Sequence, residues 1–487
     1  MSETFHAFNP STGAALAAEH PIVSWTELDA MAAASVDAAG ALADTDPARI
    51  AAFLRACADR LDADRSRIAA TAHEETALPL EPRLAQVEFD RMLGQLRQAA
   101  DAAGDVGPTS WRCPMIDEAT NIRSDRGPLG GAVFSIGPNN FPLAFHGVSG
   151  GDFAAAIAAG NPVIAKGHPL HPSTGRLLAD AVTAAIVDAG LHPATVQYVA
   201  HCEPEDGLRL IADPRIAAVA FTGSRAAGLA IKAAADASGT IASLEMSSLN
   251  PVFALPGALA DPGSLAEAWA GSVTLGAGQF CTKPGVLVAI GAGADAFIDA
   301  ACRRFEAAAP GILLARDGIA SLAIGIAAVE SSGAVRRCGG HAVEPGFRFE
   351  PTLLAVEGAT FLDRSDDLAT ELFGPAGLVV KATDLDEALT IARRLEGQLT
   401  ATICTGSGDD AGWNALASVL RSRCGRLLEN KMPTGVAVVP SMVHGGPYPA
   451  TGHPGFTAVG LPASIARFTQ ARCWDGVAPS RLPDWLV

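Results

Sequence analysis

The chain has a deficit of positive charge, few aromatic residues and no long apolar run. Lys and Arg number 35 against 52 Asp and Glu in 487 residues, so the formal charge is −17. Nucleic acids and anionic membranes bind basic surfaces, so neither is expected as a partner. No apolar run reaches the roughly 18 residues of a membrane span. The first residues, MSETFHAFNPSTG, lack the basic and apolar regions of a signal peptide, so we expect a cytoplasmic protein.

The cysteine spacings of metal sites and disulfide frameworks are also missing. Nine cysteines are an odd number, and none lies in a C-x-x-C pair or in a Cys/His metal spacing. His168 and His171, in KGHPLHPSTG, lie three residues apart across a proline with no carboxylate beside them. This pattern is typical of free thiols in a reducing compartment, and no metal site is expected.

The order of apolar segments predicts an α/β protein with more than one lobe. Helical periodicity extends from Ala30 to about Ala103, and short apolar strands alternate with helices from Leu129 onward. A second alternating region runs from about Pro251 to Gly435. Such alternation indicates βαβ crossovers and a parallel sheet covered on both faces. Ligands of these folds bind at the carboxyl ends of the strands.

Several polar residues and glycines fall at this predicted edge. Lys166 ends the strand PVIAK, Glu245 ends ASLEM, and FTGSRAAG places Gly223, Ser224 and Gly228 at a strand-to-helix junction. Backbone N–H groups at a helix N-terminus favour phosphate, and burial is expected to raise the pKa of the glutamate toward that of a general base. Taken singly, the same residues also fit a solvated lysine, a salt-bridged strand end and an ordinary glycine turn.

Cys281 lies in the glycine-rich stretch GAGQFCTKPG, which offers almost no side chains to pack around a thiol. A cysteine kept for packing normally lies in an apolar strand or helix, so this one is a candidate nucleophile. Asn140, in GPNNFPLAFH, is held between proline-containing turns and is a candidate donor to an oxyanion. An unreactive thiol and a turn asparagine are the alternatives.

Taken in order, the motifs NNFPLAFH, VIAKGHP, FTGSRAAG, ASLEMSSLNP, GQFCTKPG and ELFGP resemble the aldehyde dehydrogenase superfamily over almost the whole chain. HGGPYPATGHPGFTAVG and KGHPLHPSTG are most similar to the α-ketoglutarate semialdehyde (2,5-dioxovalerate) dehydrogenases. The resemblance implies a Rossmann-like cofactor domain (1–109 and 129–245), an α/β catalytic domain (246–450) and a small β oligomerisation element (110–128 and 460–487). It also implies a homodimer or homotetramer.

The resemblance gives roles to three of the candidates in oxidation of an aldehyde to a carboxylic acid. Cys281 adds to the aldehyde carbon to form a thiohemiacetal, and loss of hydride to the cofactor leaves a thioester. The Asn140 side chain and the Cys281 backbone N–H form the oxyanion hole. Glu245 activates the water that hydrolyses the thioester.

The same resemblance places NADP or NAD at the strand edge. Lys166 and Glu371 of ELFGP are expected to hold the riboses, while Gly223, Ser224 and Gly228 face the pyrophosphate.

Two positions depart from the general pattern of the superfamily. Many members have an acidic residue three positions after the cofactor lysine, where this chain has Pro169. Without that carboxylate a 2′-phosphate is not repelled, so NADP is expected to be accepted and preferred. Ser247 and Ser248 replace a glycine pair after Glu245 and are expected to restrict its movement and slow deacylation.

A partly aromatic channel is expected for the aldehyde, with Phe141, Phe145, Phe280 and Phe456 as candidates. A semialdehyde with a carboxylate needs a cation, and Arg91 in FDRMLGQLR is the candidate, with a surface helix arginine as the alternative.

Other substrates and other classes of protein stay open. The substrate alternatives are another small semialdehyde or an aliphatic aldehyde. The alternatives from other classes are a thiol hydrolase without redox chemistry and a non-catalytic relative. A CoA-acylating enzyme is disfavoured because those enzymes lack the base glutamate that Glu245 supplies.

Overall fold

The computed structural model describes residues 3–487. In that range the strands β1 to β20 are Thr4–Phe8, Ala15–Pro21, Met115–Asp117, Ile122–Pro128, Ala132–Ile136, Val163–Lys166, Val196–Val199, Ile216–Thr222, Ile241–Glu245, Val252–Ala254, Val286–Ile290, Gly311–Ile312, Val335–Cys338, Ala342–Val343, Arg348–Phe349, Thr352–Glu357, Ala376–Ala382, Gln398–Cys404, Cys424–Glu429 and Thr469–Asp475.

The α-helices α1 to α16 are Trp25–Ala43, Pro47–Ala63, Arg65–Thr76, Phe89–Gly104, Gly151–Ala158, Pro172–Ala189, Pro204–Ile211, Arg225–Ser238, Pro262–Thr274, Ala294–Ala307, Arg316–Ser331, Gly358–Asp363, Ser365–Leu368, Leu385–Arg394, Asp410–Leu420 and Ala463–Ala466. A π-helical segment, Leu80–Glu88, leads into α4. None of the helices in residues 3–487 is both long and apolar enough to cross a bilayer.

The first sheet has five parallel strands in the order β7-β6-β5-β8-β9. Its strands are apolar at nearly every position because both faces are buried. In β5, Val133 enters the core beneath α2, α4 and α6, while the adjacent Phe134 enters a core on the opposite face. The strands and helices predicted between Leu129 and Glu245 are confirmed.

The second sheet has seven strands in the order β13-β16-β17-β11-β10-β18-β19. Its neighbours are parallel except for the edge strand β13, which is antiparallel to β16. Alternate residues again enter two cores, Val288 on one face and Leu287 on the other. The predicted α/β fold with two lobes is therefore confirmed.

A separate three-stranded sheet joins the end of the chain to its first quarter in the order β20-β4-β3. Strand β20 pairs antiparallel with β4 from Thr469 opposite Pro128 to Asp475 opposite Ile122. Strand β20 near the end of the chain thus pairs with β4 of the same chain.

The segment that follows β19 returns to the first sheet. The Met246 N–H donates to the Ala450 carbonyl at 2.8 Å, and the Gly452 N–H donates to the Leu244 carbonyl at 2.9 Å. This crossing brings residues of the HGGPYPATGHPGF stretch beside the end of β9.

Candidate active site

A cavity of 700 Å³ follows the carboxyl ends of the five-stranded sheet. Its lining includes seven of the residues singled out from the sequence: Asn140, Lys166, Gly223, Ser224, Glu245, Cys281 and Glu371. These residues meet because parallel strands and the loops after them end at one edge. The structure thus brings together residues widely separated in the chain.

Cys281 lies just beyond a tight turn whose backbone is left-handed at Gly276, Ala277 and Gly278. A Cβ on Gly278 would lie 2.0 Å from the Gly374 carbonyl oxygen, so only glycine fits there. The Asn250 side chain fixes the other side of the loop, donating to the Cys281 carbonyl at 2.9 Å. The bend is therefore held on both sides, and it positions the thiol at the cavity.

The thiol has two polar neighbours, and one of them was missed by the sequence analysis. His444 Nε2 lies 3.5 Å from Cys281 Sγ and 3.1 Å from Glu245 Oε1. The His444 and Glu245 side chains are buried. The ligand atoms of the three residues all lie within 4.8 Å of one another. The only sequence signal was that His444 begins HGGPYPATGHPGFTAVG, and a single histidine suggests no partner.

The charges of this group influence one another. Burial raises the pKa of the Cys281 thiol well above its usual value, and the negative charge of Glu245 adds to the rise. Burial alone would also raise the pKa of Glu245, but the neighbouring His444, Cys281 and Arg467 together outweigh it, so the pKa of Glu245 lies below its usual value. The expected rise for Glu245 is wrong because it depended on burial without the imidazole. The resting site therefore holds a neutral thiol beside an ionised carboxylate.

Asn140 Nδ2 donates to the Gln279 carbonyl at 2.7 Å, which leaves its second amide hydrogen available. The backbone that carries it is anchored by the buried carboxylate of Glu88, which accepts the Leu143 N–H at 2.9 Å. Arg83 pairs with Glu88 and donates to the Asn140 carbonyl at 3.2 Å. The asparagine is therefore fixed next to the cysteine loop.

The end of the cavity at β6 and β7 is polar, with lysine and histidine side chains and the carboxylate of Glu203. Lys166 Nζ donates to the Gly167 carbonyl at 3.2 Å, and burial lowers the pKa of this lysine. His168 and His201 line the same end. The His168 Nδ1 accepts the Leu170 N–H at 3.3 Å, which leaves the proton of a neutral ring on Nε2. Donors on three side chains thus face a position suited to ribose hydroxyls or a phosphate.

The helix that follows β8 forms the middle of the cavity. Ser224 caps α8 by accepting the Ala227 N–H at 3.3 Å. Gly228 does not line the cavity: a Cβ there would lie 2.5 Å from Met246 Sδ, so it permits close packing of α8 on the end of β9. The contact with a cofactor expected for Gly228 is therefore not supported by its position.

Glu371 lies in the cavity wall near Cys281. Burial raises its pKa, and the Ser247 hydroxyl and the Lys283 charge oppose the rise. The buried Lys283 ammonium holds this loop by donating to the Leu372, Gly374 and Ala376 carbonyls.

The two serines after Glu245 are tied to the scaffold. Ser247 Oγ accepts the Arg225 N–H at 3.3 Å, and Ser248 Oγ donates to Gln398 at 2.9 Å. Ser247 is thus bonded to the start of α8, and Ser248 is bonded to strand β18 of the second sheet.

Three of the four aromatic candidates cluster on the other side of Asn140. The Phe141 ring lies 5.0 Å from Phe145 and 5.5 Å from Phe280, both edge to face. The Arg91 guanidinium carbon lies 4.7 Å from the Phe145 ring centre. Phe456 is also buried, 4.9 Å beneath Arg467 and beside Gly445, the residue after His444.

Arg91 is not a surface residue. Its Nη1 donates to the Val436 carbonyl at 3.2 Å, while Nε and Nη2 are buried without a partner in residues 3–487. Burial lowers the pKa of Arg91, and the charges of Cys281 and Glu88 partly restore it. A buried guanidinium with free donors fits an anionic ligand group, so the surface alternative is wrong.

The fold and cavity define a two-lobed α/β protein with a deep cavity along the edge of a parallel sheet. The Aldehyde dehydrogenase family model matches residues 1–472. The chain is 36% identical to alpha-ketoglutaric semialdehyde dehydrogenase 2 of Azospirillum brasilense, over 99% of this chain and 93% of that protein. It is 35% identical to alpha-ketoglutaric semialdehyde dehydrogenase of Acinetobacter baylyi, over 94% and 88%.

Solved structures agree on the fold. Aldehyde dehydrogenase C of Pseudomonas syringae, solved with NAD⁺ and octanal, superposes with a TM-score of 0.82 at 22% identity, over 99% of this chain and 95% of that one. Lactaldehyde dehydrogenase of Escherichia coli superposes with a TM-score of 0.82 at 21% identity, over 97% and 96%. The chain belongs to the aldehyde dehydrogenase family, a family of oxidoreductases that act on aldehydes.

Proposed function

We propose that this chain oxidises α-ketoglutarate semialdehyde to 2-oxoglutarate, with Cys281 as the nucleophile and NADP as the preferred cofactor. The observation that carries the proposal is the buried group of Cys281, Glu245 and His444 at one end of the cavity, with basic side chains at the other. The names of the two relatives described above support this choice of substrate.

The first step needs a thiolate, although burial keeps the resting thiol neutral. His444 Nε2 is within reach of both the thiol and the carboxylate, so a neutral imidazole can take the proton of Cys281 and pass it to Glu245. Glu245 lines the cavity, so this proton leaves to solvent and the carboxylate is ionised again before hydrolysis. The sulfur then adds to the aldehyde carbon, giving a thiohemiacetal. The free amide hydrogen of Asn140 and the Cys281 N–H stabilise the oxyanion.

A nicotinamide cofactor bound in the cavity would supply the acceptor for a hydride from this carbon, which would leave a thioester on Cys281. Glu245, ionised beside His444, takes a proton from water, which attacks the thioester. Collapse of the tetrahedral species breaks the C–S bond and releases the carboxylic acid. The low pKa of Glu245 makes it a weaker base than burial alone would.

The residues in the cavity fit a dinucleotide. Lys166 and Glu371 hold the two riboses, and Gly223 and Ser224 at the start of α8 face the pyrophosphate. Pro169 stands where many relatives have a carboxylate, which favours the 2′-phosphate of NADP over NAD, while Glu203 is the one carboxylate beside His201 in this lining.

Arg91 binds the carboxylate of the semialdehyde. Its free Nε and Nη2 donors lie beside the cluster of Phe141, Phe145 and Phe280, which gives the channel an apolar wall with one cation. A different small semialdehyde is the second candidate, because the same arginine would bind any carboxylate at that distance from the carbonyl.

We assign the residues to the domains predicted from the sequence. Residues 1–109 and 129–245 bind the cofactor, residues 246–450 form the catalytic domain, and residues 110–128 and 460–487 form the oligomerisation element. The outer strand β3, on which Met115 is 70% exposed, is suited to contact a second copy in a homodimer or homotetramer. We place the enzyme in the cytoplasm.

The test is the rate of NADP reduction by the purified protein with α-ketoglutarate semialdehyde, beside NAD and an uncharged aldehyde of similar length. Rapid turnover that disappears in Cys281→Ala supports the proposal. Turnover with other aldehydes but not with this one would overturn the substrate and keep the chemistry. Failure with every aldehyde, with hydrolysis of a thioester instead, would favour a thiol hydrolase.

A further inference from the structure

Three different kinds of metal ligand meet at the end of the cavity. A thiol, an imidazole nitrogen and a carboxylate, from Cys281, His444 and Glu245, lie within 4.8 Å of one another. No metal spacing is visible in the sequence because the three come from separate segments: the loop after α9, the segment after β19 and the end of β9. Only folding brings them together.

Their spacing is close to that of a tetrahedral Zn²⁺ site. With usual Zn²⁺ bond lengths, sulfur and nitrogen ligands stand about 3.6 Å apart, and nitrogen and oxygen ligands about 3.3 Å apart. Here Cys281 Sγ and His444 Nε2 are 3.5 Å apart, and His444 Nε2 and Glu245 Oε1 are 3.1 Å apart. Small side-chain adjustments would therefore suffice to hold the ion.

The charges also favour a divalent cation. A thiolate beside the Glu245 carboxylate places two negative charges in a buried site, which burial and mutual repulsion oppose. A bound Zn²⁺ cancels both charges. The positive charge of the nearby Arg91 disfavours a bound cation. The free N–H donors of Arg91 are suited instead to an anionic group. Cys281 and Glu245 line the cavity, so a fourth position would be open to water or to an aldehyde oxygen.

We propose that Glu245, Cys281 and His444 form a reversible Zn²⁺-binding site that blocks the active site while the metal is bound. Binding replaces the S–H bond of Cys281 with an S–Zn bond and releases the proton to solvent, with no change of oxidation state. The thiolate and imidazole select Zn²⁺ over Mg²⁺ and Ca²⁺, which prefer oxygen ligands. The blocking of turnover rests on the proposed function, whereas the binding of Zn²⁺ does not.

The direct test is titration of the metal-free enzyme with Co²⁺, a spectroscopic substitute for Zn²⁺, followed by displacement with Zn²⁺. The wild type is expected to show a thiolate-to-cobalt absorption band with one ion per subunit. Cys281→Ser should remove the band, and His444→Asn should weaken Zn²⁺ binding more than about tenfold, the loss that follows removal of even an outer-shell partner. Cys473→Ser and His453→Asn, on exposed residues, are the matched controls and should bind as the wild type does.

Two results would overturn the site. Equal Zn²⁺ affinity in His444→Asn and the wild type would mean that the thiol alone captures the ion. An unchanged cobalt band in Cys281→Ser would place the metal elsewhere. If the enzyme is inactive toward every aldehyde but binds Zn²⁺ as expected, the Zn²⁺ site is supported and the proposed function is overturned. In an active enzyme, Zn²⁺ should inhibit, a chelator should restore the rate, and Mg²⁺ should have no effect.

Discussion

His444 Nε2 lies 3.1 Å from Oε1 of Glu245, and both side chains are buried. This pair decides the ionisation of the site, because the imidazole holds the pKa of the carboxyl down against the effect of burial. The same nitrogen faces the Cys281 thiol, so one residue links the nucleophile to the base.

Replacing His444 with Asn should lower kcat about 100-fold, the size of effect expected when a general acid–base group is lost. Rapid-mixing kinetics would measure both the first turnover and the steady state. His453→Asn is the control, because His453 is an exposed histidine of the same segment whose Nδ1 bonds only its own turn. A normal first turnover and steady-state rate in His444→Asn would exclude the proposed relay.

Glu245→Gln should make the Cys281 thiol more acidic. The Glu245 charge raises the pKa of Cys281, so removing it lowers that pKa and moves the pH curve of thiol alkylation to lower pH. Aldehyde turnover should nevertheless fall, because no carboxylate remains to activate water. The measurement is the rate of iodoacetamide labelling of Cys281 against pH. Glu74→Gln, on an exposed glutamate, should leave the curve in place; an upward shift in Glu245→Gln would contradict the charge argument.

Arg91→Gln should raise KM for α-ketoglutarate semialdehyde about tenfold, the loss of one hydrogen bond to a charged group. KM for an uncharged aldehyde should stay within about twofold, because that aldehyde has no carboxylate for Arg91 to bind. Arg97→Gln is the matched control on the same helix, since Arg97 is half exposed and lies 3.5 Å from Asp59. Equal increases for both aldehydes would mean that Arg91 only supports the channel.

Pro169→Asp should move the cofactor preference from NADP toward NAD. The new carboxylate would repel a 2′-phosphate beside Lys166 and His168 while accepting a ribose hydroxyl. The ratio of the two dissociation constants, measured by calorimetry, should change about tenfold or more, a difference of about 1.4 kcal/mol. Pro169→Asn separates the charge from the loss of the proline ring. The same change in both variants would refute the electrostatic explanation.

Glu75→Ala should destabilise the fold by about 2 kcal/mol, because it leaves buried N–H groups unpaired. The buried Glu75 carboxylate accepts the Ser173 N–H at 2.8 Å and the Thr174 N–H at 2.9 Å, which closes the start of α6. Chemical denaturation would measure the loss, and Glu74→Ala should change stability by less than about 0.5 kcal/mol.

The pH dependence of stability adds a second test of Glu75. Burial raises the pKa of Glu75 despite its hydrogen bonds to Thr174. The folded state therefore binds its proton more readily than the unfolded state, so this group's contribution to stability falls as pH rises through the ordinary carboxyl range toward the folded pKa. Glu75→Ala should lack that slope, and an identical slope in the variant would assign it to other groups.

Local patterns predicted the elements and the residues at their ends. Lys166 and Glu245 end apolar strands, and parallel strands of one sheet end at one edge, so their meeting in the cavity followed from the alternation of strands and helices. Cys281 was indicated by its glycine-rich surroundings. Each of these features depends on a short stretch of sequence.

Features that depend on neighbours distant in the chain were missed or mistaken. Met246 packs against Gly228, and the guanidinium of Arg91 lies against the rings of Phe141 and Phe145. The pKa of Glu245 was expected to rise because no pattern linked it to His444.

Local motifs were enough to predict an α/β protein of the aldehyde dehydrogenase type, the order of its strands along the chain and the positions of its thiol, carboxylate and lysine. Periodicity and glycine placement act over a few residues, so they can be read without the fold. Which charges face one another depends instead on how distant segments pack. The segment after β19 crosses to β9 and delivers His444 to Cys281 and Glu245, and a contact of that kind has no local signature.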